Sequence, residues 1–217
     1  MDLYLIPGLG ADRRLFGQLD LGVHTPHFLD WPVMPEGSTL RDFAQALAVR
    51  IDATKPHALI GVSMGGMVAQ ELAPMTDPVC VVIISSWKGP QEMPMPIRMM
   101  RGNHPERMLT PALFKHTLPL VRWQMGVETA ADIALLDALV QAHPLEQLKI
   151  QINACLCWEG PVAPVAGLTH IHGDKDRLMP IASITNAEVV PGGTHFMVYS
   201  KAAEVGAALR RALAIGM

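Results

Sequence analysis

The chain has 217 residues, enough for one well-buried core carrying an insertion and short for two independent domains. Half of its residues are hydrophobic, 17% are charged, and the formal net charge is −3 with no Lys/Arg block. This balance gives no electrostatic footprint for nucleic acid or an anionic membrane surface, and no apolar stretch reaches the roughly 20 residues that span a bilayer.

In chain order, the first predicted strand is Leu3-Tyr4-Leu5-Ile6. It follows Met1 so closely that no secretory leader is expected, and a cytoplasmic location is the default. A glycine turn, Pro7-Gly8-Leu9-Gly10, comes next, then a helix near 12–19, a second strand near 27–31 and a helix over 40–51. The third strand, His57-Ala58-Leu59-Ile60, runs into Gly61-Val62-Ser63-Met64-Gly65. Beyond it, residues 67–73 carry apolar side chains at helical spacing, so Ser63 stands where a strand must turn sharply into a helix. A fourth strand is expected over 79–85, a fifth near 168–172, a sixth over 187–190 and a last helix over 197–214. Strands alternating with helices predict an α/β fold with a parallel sheet.

More than 80 residues separate the fourth and fifth strands, too many for a simple crossover and too helical in pattern for a loop. Residues 88–144 are therefore expected to form a helical lid inserted into a core made of 1–87 and 145–217, with its clearest helix over 128–140. The methionine-rich run Met93-Pro94-Met95-Pro96-Ile97-Arg98-Met99-Met100 suits lid packing or an adaptable apolar pocket. Trp87 fits equally as a pocket residue or a lid anchor.

Three cysteines, Cys80, Cys155 and Cys157, lack zinc-ligand spacing and read as buried thiols. The nine histidines include His170 and His172 on one face of a strand and His24 near His27. No convergent carboxylate set accompanies them, and neither a metal nor another cofactor is expected.

A serine hydroxyl is a weak nucleophile at neutral pH and needs a histidine to take its proton, which in turn needs an acid to fix the imidazole tautomer. One known chain order for such a set is serine, then acid after a late strand, then histidine after the last strand. Both later places are filled here, by His172-Gly173-Asp174-Lys175-Asp176 and by Gly192-Gly193-Thr194-His195-Phe196.

Taken together, these signatures resemble the α/β-hydrolase superfamily from one end of the chain to the other. They are the Gly8-Leu9-Gly10 turn, Asp30-Trp31-Pro32 leading to Gly37-Ser38, the serine elbow and the two late loops. The resemblance implies Ser63 as nucleophile, His195 as base and Asp176 as acid, with Asp174 as the rival acid and turn-capping residue. It also implies an oxyanion hole from the backbone N–H groups of Met64 and Leu9. Two departures stand out: Pro7 occupies a place where many relatives have His, and the family's usual first two strands are not expected, since the first predicted strand already carries the glycine turn. About six parallel strands in the spatial order 2-1-3-4-5-6 are then implied. The implied activity is hydrolysis of carboxylic esters of small, largely apolar molecules through an acyl-enzyme on Ser63. A lyase or cofactor-free oxygenase using the same triad, and a non-catalytic small-ligand binder, are the alternatives.

Overall fold

The structure, a computed structural model, describes residues 1–215. Six strands form one sheet in which every neighbouring pair is parallel: β1 (Asp2–Ile6), β2 (Thr25–Phe28), β3 (His57–Val62), β4 (Cys80–Ile84), β5 (Leu168–Gly173) and β6 (Glu188–Val190), in the order β2-β1-β3-β4-β5-β6. This is the implied order. All residues of β3 and β4 are buried, as expected of central strands covered on both faces.

The period-2 alternation of side chains divides the core into two layers. Leu3, Leu5, Ala58, Ile60, Val82 and Ile84 pack on one face with Val205, Leu209 and Leu213 of α8 (Ala202–Ile215). Tyr4, Ile6, Leu59, Val81 and Ile83 pack on the other, against α1 (Leu40–Ala48) and α2 (Met64–Thr76). The start of α1 is fixed by a reciprocal capping box between Thr39 and Asp42.

Several predicted elements differ in extent. The helix expected near 12–19 is one 3₁₀ turn, Arg13–Phe16: the Asp12 carboxylate caps Arg14 N–H and Gly17 closes the turn, while Leu15 and Phe16 are buried. The helix expected over 197–214 is broken in two, α7 (Met197–Ser200) and α8, at the non-helical Lys201.

Between β4 and β5 lie α3 (Met95–Arg98), α4 (Pro111–Met125), α5 (Ala130–Gln141) and α6 (Leu145–Cys157), with two 3₁₀ turns. Prolines at 90, 94, 96 and 105 deprive the first part of this segment of backbone donors, which keeps its helices short. α6 begins at residue 145 and packs on both α1 and the Pro105–Met108 turn. Among the described residues no helix is long and apolar enough to cross a membrane.

Candidate active site

Sheet order reverses between β1 and β3, so the loops after these two strands lie side by side at the carboxyl edge, where ligands bind in open α/β sheets. Ser63 sits in the turn from β3 to α2 with φ 56° and ψ −121°, a conformation that a residue with a Cβ rarely adopts. Its neighbours make the turn possible. A Cβ at Gly61 would collide with the backbone of Gly65, and a Cβ at Gly65 would collide with the carbonyls of Ile6 and Pro7. Ser63 N–H donates to Ile84 O at 2.9 Å, and Ser86 Oγ donates to Ser63 O at 2.7 Å, so β4 holds the strained turn from beside it.

The three side chains predicted to work together are adjacent. His195 Nε2 lies 3.0 Å from Ser63 Oγ, and His195 Nδ1 lies 2.8 Å from Asp176 Oδ2. All three residues are buried. The other oxygen of Asp176, Oδ1, accepts from Leu178 N–H at 3.0 Å and Met179 N–H at 2.8 Å. Burial alone would raise the pKa of Asp176, but the charge and hydrogen bond of His195 and the Met179 N–H outweigh it and hold the carboxyl below its ordinary value. Asp174 lies elsewhere: its Oδ1 accepts from Gly192 N–H at 2.6 Å and bridges the two late loops.

Behind Asp176 is a buried relay of histidines. His172 Nε2 is 2.7 Å from Met179 O, so it carries the proton and donates; Nδ1 then accepts from His170 Nε2–H at 3.1 Å. His172 thereby pins the loop whose Leu178 and Met179 amides hold Asp176, and it lies 3.7 Å from the carboxylate itself. Burial pushes the pKa of His172 down and that of His170 down to about 3, with His172 and Lys88 adding to the effect on His170. The sequence placed His172 beside His170 on one face of a strand and gave it no part in the chemistry. Its supporting role depends on the path of the 174–180 loop, which no local pattern reveals.

The glycine turn after β1 is held from two sides. Trp31 Nε1–H donates to Gly8 O at 2.9 Å, and Gly10 N–H donates to the amide oxygen of Gln151 on α6 at 2.9 Å. Met64 opens α2, so its N–H lacks an intrahelical acceptor. Among the described residues, neither Leu9 N–H nor Met64 N–H donates to a protein acceptor.

Leu9, Ser63, Met64 and His195 all border a cavity of about 510 Å³ roofed by the segment between β4 and β5. Its lining is mostly apolar, with Ile97, Met100, Leu109, Phe114, Leu148 and Ile152 among the roof residues. Of the methionine-rich run, only Ile97 and Met100 reach the cavity; Met95 and Met99 are exposed and Met93 is buried in the core. Trp87 lines the cavity, and its carbonyl accepts from Gln70 Nε2 at 2.8 Å. Cys80 is buried, Cys155 partly buried and Cys157 exposed; all three are free thiols. Burial raises the pKa of Cys155 to about 12. Among the described residues no group of three or more His, Cys, Asp or Glu is arranged to hold a metal ion.

The fold is shared with solved structures of low sequence identity. A thermophilic esterase from Thermogutta terrifontis is 16% identical with a TM-score of 0.76, over 100% of this chain and 90% of its own. The N-acyl homoserine lactonase AidH is 14% identical with a TM-score of 0.74, over 100% and 89%. The putative non-heme bromoperoxidase BpoC from Mycobacterium tuberculosis is 16% identical with a TM-score of 0.67, over 100% and 92%. No curated protein matches the sequence. Residues 3–208 match the family model described as "Alpha/beta hydrolase family", and the chain belongs to the alpha/beta hydrolase family.

Proposed function

We propose that this protein is a serine hydrolase that cleaves carboxylic esters of small, largely apolar molecules through an acyl-enzyme on Ser63. The observation that carries the reading is the position of His195, with one ring nitrogen on Ser63 Oγ at 3.0 Å and the other on Asp176 at 2.8 Å. An ionised Asp176 can only accept, so His195 Nδ1 carries the proton and Nε2 is left as the base facing the serine.

In the first half-reaction, His195 takes the Ser63 proton as Oγ attacks the ester carbonyl. The tetrahedral oxyanion is met by the N–H groups of Leu9 and Met64, the latter at the positive end of α2. Collapse expels the alkoxide, which receives its proton from His195, and leaves Ser63 acylated. Water then enters, loses a proton to His195 and attacks the acyl carbon; the second collapse returns the proton to Ser63 and releases the acid. Asp176 stabilises the imidazolium in both halves without taking up a proton.

The segment between β4 and β5 acts in this reading as a lid that sets the shape of the cavity and limits water. The similarity to a lactonase and to esterases makes open and cyclic esters the first substrates to try. The similarity to a protein named as a putative bromoperoxidase keeps one second reading: the same residues could move protons without an acyl-enzyme. A p-nitrophenyl ester series of increasing acyl length, together with simple lactones, tests the proposal on wild type and Ser63→Ala. We expect turnover that falls by about 10⁴ or more in the variant, with a burst of alcohol product only in wild type. Comparable turnover in the variant sinks the mechanism, and turnover without acylation favours the second reading.

A further inference from the structure

One charged group on the cavity wall has no part in the chemistry proposed for Ser63. Glu106 lies in the Pro105–Met108 turn and lines the same cavity as Ser63 and His195. It is only 5% exposed. Its Oε1 is 3.1 Å from His104 Nδ1, whereas its Oε2 is shielded from solvent and meets no hydrogen-bond donor among the described residues.

The surroundings offer that oxygen nothing. Among the described residues lining the cavity, Glu106 is the one carboxylate, and none is a lysine or arginine. Glu106 also borders a polar crevice on its other side, but the cations there have other partners: Arg107 faces Glu36 at 3.8 Å and Lys149 faces Glu146 at 2.9 Å. A buried carboxylate oxygen is costly to leave unpaired, and an ionised carboxylate can only accept. A wholly apolar ligand would leave His104 as the carboxylate's one side-chain partner among the described residues. A ligand with a donor would give the carboxylate a second.

We infer that Glu106 is a specificity-determining residue: the cavity takes an ester that carries, besides its scissile carbonyl, an ammonium or hydroxyl group that donates to the Glu106 carboxylate. This rests on the reading of Ser63 as nucleophile only for the identity of the reacting bond. Charge assistance makes the ammonium the stronger partner and the hydroxyl the weaker one, with a methyl group at the same place weakest of all.

The test separates binding from turnover. Affinities of Ser63→Ala are measured by calorimetry for ethyl heptanoate, ethyl 6-hydroxyhexanoate and ethyl 6-aminohexanoate, and for propyl and 2-hydroxyethyl hexanoate, which move the donor to the alcohol side. At least one donor-bearing ester should bind about tenfold or more tightly than its methyl-ended counterpart. Adding Glu106→Gln should remove most of that preference while leaving the methyl-ended esters within about twofold. Glu106→Leu, an apolar replacement for the same place, should remove it too and tighten the methyl-ended esters. The inference is overturned by equal binding across the series, by a preference that survives both Glu106 variants, or by variants that weaken every ester alike. Wild-type turnover of the same esters is scored separately: its absence would sink ester cleavage and leave the binding comparison intact.

Discussion

Ser63 stores backbone strain, since φ 56° with ψ −121° costs a residue with a Cβ about 1–3 kcal/mol. Glycine can adopt that conformation freely, although it loses more freedom on folding. Ser63→Gly should therefore be inactive yet more stable than Ser63→Ala by roughly 1 kcal/mol, read as a higher urea midpoint; the reverse order would show that the turn is not strained. The two candidate acids are separated equally clearly. Asp176 meets His195 at 2.8 Å, whereas Asp174 meets Gly192 N–H at 2.6 Å and serves the loop. Asp176→Asn should lower kcat by about 10⁴, because the amide no longer favours the tautomer that leaves His195 Nε2 free. Asp174→Asn should stay within a few fold on kcat; a large loss there would exchange their roles.

At the scale of elements, the end of the segment between β4 and β5 is joined to the first half of the sheet by polar contacts. Gln151 on α6 accepts from Gly10 N–H, Trp158 Nε1–H donates to Glu71 on α2 at 2.8 Å, and Gln147 bonds both the N–H and the carbonyl of Met34. The first of these fixes the turn that carries Leu9. Replacing Gln151 by Leu leaves Gly10 N–H unpaired in a buried place, which should cost about 1–3 kcal/mol of stability. The turn should also drift, lowering kcat by about 10–100-fold with a smaller change in KM. An unchanged kcat, with stability reduced, would mean that α6 supports the turn's fold without setting its aim. Glu92 plays the matching part at the start of the insertion: it is buried, accepts from Lys88 N–H, and receives both the N–H and the hydroxyl of Thr185.

The whole molecule should respond to acid through its buried histidines. The native state holds His170 neutral, with its pKa at about 3, and depresses His172 as well, while the unfolded chain takes up these protons below roughly pH 6.5. The unfolded state therefore binds more protons over this interval, so stability is full above it and is lost as pH falls from about 6.5 towards 3. Asp176 has its folded pKa depressed too, but its contribution fades only below the ordinary carboxylate range. Between roughly pH 7.5 and 4.5 the histidines should dominate this part of the acid response. His170→Gln keeps a donor for His172 without titrating, so its urea midpoint should fall less steeply over that interval than that of wild type. Parallel curves would remove His170 as a source of acid sensitivity.

The sequence by itself determined the strand pattern and the parallel sheet, since apolar runs of this length between helical repeats are buried on both faces. It also singled out Ser63 and His195, each in a glycine-marked loop at a strand end where short-range chemistry is visible, and narrowed the acid to Asp174 or Asp176, between which the resemblance favoured Asp176. Helix extents were less legible: Asp12 capping and Gly17 shorten one, and Lys201 breaks another, through backbone angles that apolar spacing does not encode. The tertiary structure alone decided which groups meet across long stretches of chain. Gln151 reaches Gly10 across 141 positions, His170 and His172 brace the acid loop, and Glu106, a cavity-lining residue, is left with one buried oxygen unpaired. The reason is physical: burial and hydrogen-bond satisfaction depend on which surfaces close over a side chain, and in this protein those surfaces come from segments far apart in the chain.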